Sequence, residues 1–165
     1  MPPTTALPTR DSVIQTGDIA PDFTLLDQDR NEWTLSEAAI SGPVVLCFYP
    51  LAFTGVCGTE MECVNNEFSR WSEQGAQIVG VSCDSFATQN AWGEQMGFKH
   101  RLLADMHRAV CKAYGLFWSD LNVASRGTVI VEKNGSGKLM VTWSQSREPG
   151  EAMDFNAVLK TALSA

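Results

Sequence analysis

The sequence lacks any run of about 20 apolar residues, so nothing in it reads as a membrane span. It also lacks a basic run: 12 lysines and arginines stand against 19 acidic residues, for a net charge of −7. An acidic chain of this kind suits neither nucleic acid nor an anionic membrane surface, and neither is expected as a partner. The first fifteen residues hold one basic side chain, Arg10, and no apolar leader segment. No secretory signal is therefore expected. Pro2, Pro3 and Pro8, with Thr4, Thr5 and Thr9, make 1–15 an expected flexible arm. Histidine is scarce, with only His100 and His107. Neither stands in a context that suggests a Cys–His hydrolase. No two cysteines are spaced as C-x-x-C, which argues against a zinc knuckle and a dithiol redox motif. Cys47, Cys83 and Cys111 also lack a histidine at ligand spacing. No metal and no cofactor is expected.

Cysteine itself is present five times, at positions 47, 57, 63, 83 and 111. The odd count in a chain 44% hydrophobic does not describe a disulfide scaffold. A chain of 165 residues buries roughly 70% of its unfolded surface and needs no covalent staple. A reducing cytoplasm with free thiols is the expected setting. Residues 16–165 are read as one domain.

The pattern of elements is alternately β and α. Short strands are expected at 22–26 and 32–35, followed by a brief helix at 37–40 capped by Ser36. Val44 to Tyr49 is apolar throughout, as expected of a strand covered on both faces. Met61, Val64, Phe68 and Trp71 recur at helical spacing, so a helix starts near Val56 to Thr59 and runs to about Gln74. A buried strand at 76–82, a helix marked by Phe86, Trp92 and Met96, and a strand at 102–104 follow. The spacing then predicts a helix at 107–114 closed by Gly115 in a left-handed cap. Strands at 127–131 and 138–143 form a hairpin around Asn134 to Gly137. A helix over 151–163 presents Ala152, Phe155, Val158, Leu159 and Ala162 as its apolar face. Parallel strands first and an antiparallel hairpin last make an α/β protein of thioredoxin-like fold, a mixed central sheet flanked by helices.

Cys57 lies where the buried strand hands over to the long helix. Unpaired N–H groups and the helix dipole favour negative charge there, which is one way to obtain a reactive thiolate. Thr54 is three residues earlier, where its hydroxyl can reach the sulfur or an incoming oxygen. Gly55 and Gly58 let a small ligand approach the backbone. Cys47 and Cys111 sit among apolar residues and read as core. The tryptophans at 33, 71, 92 and 143 also read as core, whereas Phe117 and Trp118 fall in a loop.

The run Pro50-Leu51-Ala52-Phe53-Thr54-Gly55-Val56-Cys57 resembles the peroxiredoxin signature P-x-x-x-T-x-x-C. Gly17 to Phe23, Val79 to Ser85 and Arg126 to Val129 resemble further segments of that family. Leu51 to Phe53, Ala113 to Phe117 and Glu148 to Glu151 are most similar to its one-cysteine alkyl hydroperoxide reductase E group. The resemblance implies a thiol-dependent peroxidase acting on hydrogen peroxide and organic hydroperoxides through a sulfenic acid. It implies that Cys57 attacks the peroxide, Thr54 orients it, Arg126 stabilises the developing charge, Pro50 shields the pocket and Glu60 holds Arg126. It also implies a homodimer, expected to form through loops such as Phe117-Trp118.

Two questions stay open at this point. An external thiol or redoxin is the expected reductant of the sulfenic acid, with Cys63 and Cys83 as alternative resolving cysteines. Cys63 is six residues beyond Cys57, about 9 Å along an intact helix and about 240° around it. A disulfide between them requires the helix to unwind. The other reading from a different class is a peroxide sensor that relays oxidation to a partner.

Overall fold

The computed structural model describes residues 2–151 and 153–163. Its elements are β1 (Thr24–Leu26), β2 (Glu32–Thr34), α1 (Leu35–Ala38), β3 (Val44–Phe48), α2 (Gly55–Glu73), β4 (Gln77–Ser82) and α3 (Phe86–Met96), then β5 (Arg101–Ala104), α4 (Ala109–Ala113), β6 (Phe117–Trp118), β7 (Val123–Ala124), β8 (Gly127–Lys133), β9 (Leu139–Ser146) and α5 (Phe155–Leu163). The main sheet runs β2-β1-β5-β4-β3-β8-β9. Strands β3, β4 and β5 are parallel, whereas β8 and β9 add on antiparallel beside β3 and β1 adds on antiparallel beside β5. The mixed sheet and thioredoxin-like layering follow from the sequence pattern.

Every residue of β3 is buried, because both faces of the sheet are covered. Successive side chains point to opposite faces. Val44, Leu46 and Phe48 join one core with Cys83, Cys111 and Tyr114. Val45, Cys47 and Tyr49 join the other, with Cys57, Met61, Val64 and Trp71 from α2 and with Val158 and Leu159 from α5. The apolar spacing of α2 thus becomes its sheet-facing side.

Several boundaries differ from the sequence reading. Helix α1 starts at Leu35, after Thr34. Ser36 is its second residue rather than its cap, and the Ser36 N–H donates to the Asp22 carboxylate at 3.0 Å. Helix α5 starts at Phe155, not 151. Ala152 and the Phe155 side chain lie outside the described residues. Helix α4 is shorter than expected and β9 longer. The two-residue pair β6–β7 was not expected, since strands so short leave no periodic signal. Helix α3 is capped by Ser85, whose oxygen accepts from Thr88 N at 3.1 Å.

The N-terminal arm lies against the domain. Thr4 N donates to Thr24 O at 2.7 Å, Arg10 N to Lys112 O at 3.0 Å and Ile14 N to Tyr114 O at 3.0 Å. Gly115 makes that approach workable. Its φ is +70°, and a Cβ there would lie 1.9 Å from Ser12 O.

Candidate active site

The C-terminal ends of β3 and β4 form the edge where a parallel sheet usually places its chemistry. The chain leaves β3 through Tyr49 and the buried Pro50, turns, and enters α2. Three features hold the turn. Phe53 takes a left-handed conformation with φ +61°, uncommon for a bulky residue. Ala52 N donates to an Asp84 carboxylate oxygen at 2.9 Å, which ties the turn to the end of β4. The Thr54 hydroxyl donates to Leu51 O at 2.7 Å. That bond is directed into the turn rather than at Cys57, and it leaves the hydroxyl oxygen able to accept.

Thr54 is the N-cap of α2, and the first helical bond runs from Gly58 N to Thr54 O at 2.8 Å. The N–H groups of Gly55, Val56 and Cys57 precede it and point out of the helix end. Cys57 sits in this first turn, 2% exposed. A Cβ at Gly55 or Gly58 would meet nothing within 4 Å, so the protein itself does not need glycine there and the space stays open to a small ligand.

Antiparallel pairing supplies the cation. Gly127 pairs with Phe48, so Arg126, just before β8, falls beside the end of β3. Gly127 is packed so closely that an added Cβ would lie 2.7 Å from a Leu116 methyl and 3.0 Å from Gln145 O. Arg126 Nη2 donates to Cys57 Sγ at 2.8 Å, and Arg126 Nε donates to Pro149 O at 2.9 Å. Its Nη1 meets Glu60 Oε2 at 3.2 Å. Glu60 is one turn beyond Cys57 on α2 and fully buried. The same Glu60 oxygen accepts from Met153 N at 3.1 Å.

A fourth charge completes the cluster, and the sequence reading missed it. Arg147 Nη2 lies 3.6 Å from Glu60 Oε2, and Arg147 Nη1 donates to Thr128 Oγ1 at 2.9 Å. Arg147 N donates to Arg126 O at 2.9 Å, so the two arginines follow one another on the β8–β9 ladder. Counting outward from the hairpin turn would pair Arg126 with Ser146, and the register shift between Ile130 and Val131 is what brings Arg147 opposite Arg126 instead, so no signal in the sequence pointed to it. Two guanidiniums against one carboxylate leave a buried excess of one positive charge. The excess faces Cys57 Sγ through Arg126, and buried charge is tolerated only when balanced.

The other cysteines are placed elsewhere. Cys47 is in the core, its thiol pushed up by burial and then by Glu60, which suits an inert side chain. Cys63 is half-buried further along α2, which is helical through both cysteines. Burial, then Glu62, Glu60 and Glu67, push its thiol up. Cys83 belongs to the core on the opposite sheet face from Cys57, and its Sγ is 3.7 Å from that of Cys111. His107 is exposed, while His100 is fully buried with its ring 5.0 Å from Phe98. No described hydrogen bond or ion pair links either histidine side chain to Cys57. Phe117 and Trp118, read as loop, form β6 and are half-buried. No described helix is long and apolar enough to cross a membrane.

Comparison with known proteins gives a consistent result. The model of the AhpC/TSA family matches residues 16–138. Alkyl hydroperoxide reductase E of Mycobacterium tuberculosis is 33% identical over 144 residues, 86% of this chain and 92% of that protein. A chloroplastic 2-Cys peroxiredoxin of Spinacia oleracea is 32% identical over 129 residues, 72% of this chain and 49% of its own length. Among solved structures, the peroxidoxin BcpB of Mycobacterium tuberculosis superposes with a TM-score of 0.81 at 29% identity, covering 92% of this chain and 97% of that one.

Proposed function

The chain belongs to the AhpC/TSA family of peroxiredoxins, thiol peroxidases with a thioredoxin-like fold, and from that premise we propose that Cys57 is its peroxidatic thiol. The observation that carries the assignment is the 2.8 Å contact between Arg126 Nη2 and Cys57 Sγ inside a buried cluster of charges.

In this reading the Cys57 thiolate attacks the terminal oxygen of a hydroperoxide in line with the O–O bond. That bond breaks, an alcohol or water leaves with a proton, and Cys57 becomes a sulfenic acid. Charge develops on both oxygens in the transition state. Arg126 and the N–H groups of the first turn of α2 are the donors available to them, while the Thr54 hydroxyl, which donates to Leu51 O, accepts from the peroxide O–H and so orients it. Donors fixed before the reaction need no reorganisation as charge appears. Pro50 excludes water from one side. Glu60 and Arg147 are positioning residues that hold Arg126 at the sulfur.

An external thiol or redoxin then reduces the sulfenic acid. Support for this comes from the unbroken α2 between Cys57 and Cys63 and from the placement of Cys83 on the other sheet face. The proposal includes a reducing compartment and a homodimer formed through segments such as the half-buried Phe117-Trp118. Sedimentation of the reduced protein tests the dimer.

Peroxide turnover with a thiol reductant tests the core assignment. Cys57→Ser is expected to abolish it, and a variant that keeps wild-type turnover would end this reading. Arg126→Ala is expected to slow the single-turnover oxidation about 10²–10³-fold, the usual loss for one such donor. Intact mass with peptide mapping after one equivalent of peroxide separates the rescue routes: a gain of about 16 Da on the Cys57 peptide marks a sulfenic acid, and a loss of about 2 Da with the Cys57 peptide cross-linked marks a resolving disulfide.

A further inference from the structure

We propose that Cys83 and Cys111 form a second peroxide-oxidisable site, in which the two thiols close into an intramolecular disulfide without the participation of Cys57. The pair is distant in sequence and has no spacing motif, so only the fold reveals it. Cys83 follows the end of β4, and Cys111 lies in α4. Their sulfurs are 3.7 Å apart, in direct hydrogen-bond contact. A bond of about 2.05 Å requires a modest approach of the two sulfurs. Cys83 lies in an irregular bend rather than inside the strand, so it is the partner with freedom to move.

Access and proton placement also fit. Cys83 is 9% exposed and Cys111 fully enclosed, so a small oxidant reaches Cys83 first. Cys83 adjoins Asp84, whose carboxylate holds the peroxidatic turn through Ala52. The pair therefore sits at the same edge of the sheet where the enzyme handles peroxide, on the opposite face. Contact with Cys83, then burial and then Asp105 push the Cys111 thiol up. Cys111 thus keeps its proton, which it donates to Arg108 O at 3.4 Å, and its sulfur is left to accept from the Cys83 thiol.

The chemistry balances with peroxide as the only oxidant. Cys83 Sγ attacks a hydroperoxide oxygen, the O–O bond breaks, and the alcohol or water leaves carrying the Cys83 thiol proton. Cys111 Sγ then attacks the Cys83 sulfenic sulfur. The S–O bond breaks and water leaves with the proton from Cys111. The two sulfurs together lose the two electrons that reduce the O–O bond.

The same two sulfurs lie with an Asp105 oxygen inside 4.8 Å, a spacing that also suits a thiophilic metal ion. The structure favours the disulfide. Both Asp105 oxygens already accept backbone N–H groups, from Val110 at 3.2 Å and from Cys111 at 2.8 Å. No fourth His, Cys, Asp or Glu donor joins the cluster among the described residues.

The test uses the full-length Cys57→Ser protein, so its result is independent of the peroxidatic assignment. It is treated with hydrogen peroxide, and separately with an organic hydroperoxide, and its intact mass is read. The expected result is a loss of about 2 Da reversed by dithiothreitol. Proteolysis without reductant should then link the peptides holding Cys83 and Cys111. Adding Cys111→Ser should convert the loss into a gain of about 16 Da or more at Cys83. Peptide mapping of Cys57→Ser alone decides the matter if that second variant does not fold. An unchanged mass, a gain of oxygen at Cys83 with Cys111 intact, or a link to Cys47 or Cys63 overturns the proposal. So does a metal ion held by these thiols in the untreated protein under native mass spectrometry.

Discussion

At the scale of the residue, the cluster beside Cys57, proposed as the peroxidatic site, is a problem of buried charge. Glu60, Arg126 and Arg147 are all nine-tenths or more buried, and Glu60 is the single carboxylate between two guanidiniums. Removing one member of a buried ionic set costs about 3–5 kcal/mol, because its partners stay buried without compensation. Glu60→Gln keeps the volume and removes the charge. It is expected to lower the urea midpoint accordingly and to slow peroxide reduction by releasing Arg126. Arg147→Met in the same chain should recover part of the stability, since it removes the cation left unpaired. If Glu60→Gln unfolds at the wild-type midpoint, the charge-balance account of this cluster is wrong. Glu60 was legible as a residue one helical turn from Cys57. Arg147 was not, because its approach depends on a ladder register that no local pattern displays.

Elements bring those residues together through their ends. Helix α2 offers its first turn, β8 begins with Arg126, and the two meet because β8 pairs antiparallel with β3. Another junction at this scale is the end of α4. Gly115 takes its left-handed turn and lies against the backbone of Ser12. Gly115→Ala adds both backbone strain and a clash. A side chain forced into an unfavourable backbone region costs roughly 1–3 kcal/mol. The expected outcome is a lower thermal midpoint together with faster proteolytic cleavage of the arm before Ile14. Equal cleavage rates in wild type and variant would show that Gly115 does not govern the docking. The glycine was recognisable as a helix stop, but its second duty, making room for the arm, was not. Helix spacing identified α2 and α3 well, while the short β6–β7 pair left no pattern to read.

For the whole molecule, acid stability is the measurable consequence of one buried histidine. His100 is fully enclosed, and burial pushes its pKa down from 6.5 to about 3. The unfolded chain therefore binds a proton at His100 that the folded chain refuses between those values. Stability is undiminished above about pH 6.5 and is lost progressively as pH falls toward about 3. Asp105 acts in the opposite sense. Burial raises its carboxyl above 3.8, against the pull of its backbone hydrogen bonds, so its contribution is present at low pH and lost as pH rises through the raised value. His100→Leu is expected to flatten the acid limb of a urea-stability profile taken between about pH 4 and about pH 7. A limb as steep as in the wild type would assign the acid sensitivity to other groups.

The sequence alone determined the α/β layering, the covered central strand and the cysteine at the helix start, because each is written in local spacing or in a contiguous run. The signature from Pro50 to Cys57 is of this kind: one strand end, one turn and one helix end, all within eight residues. Tertiary structure decided which distant groups share a site. Arg126 and Arg147 reach Glu60 only because β8 and β9 fold back beside β3, and Cys83 meets Cys111 only because the end of β4 faces α4. Those pairings depend on register and on the face of the sheet, which are set when the core packs and are not encoded at any fixed separation along the chain.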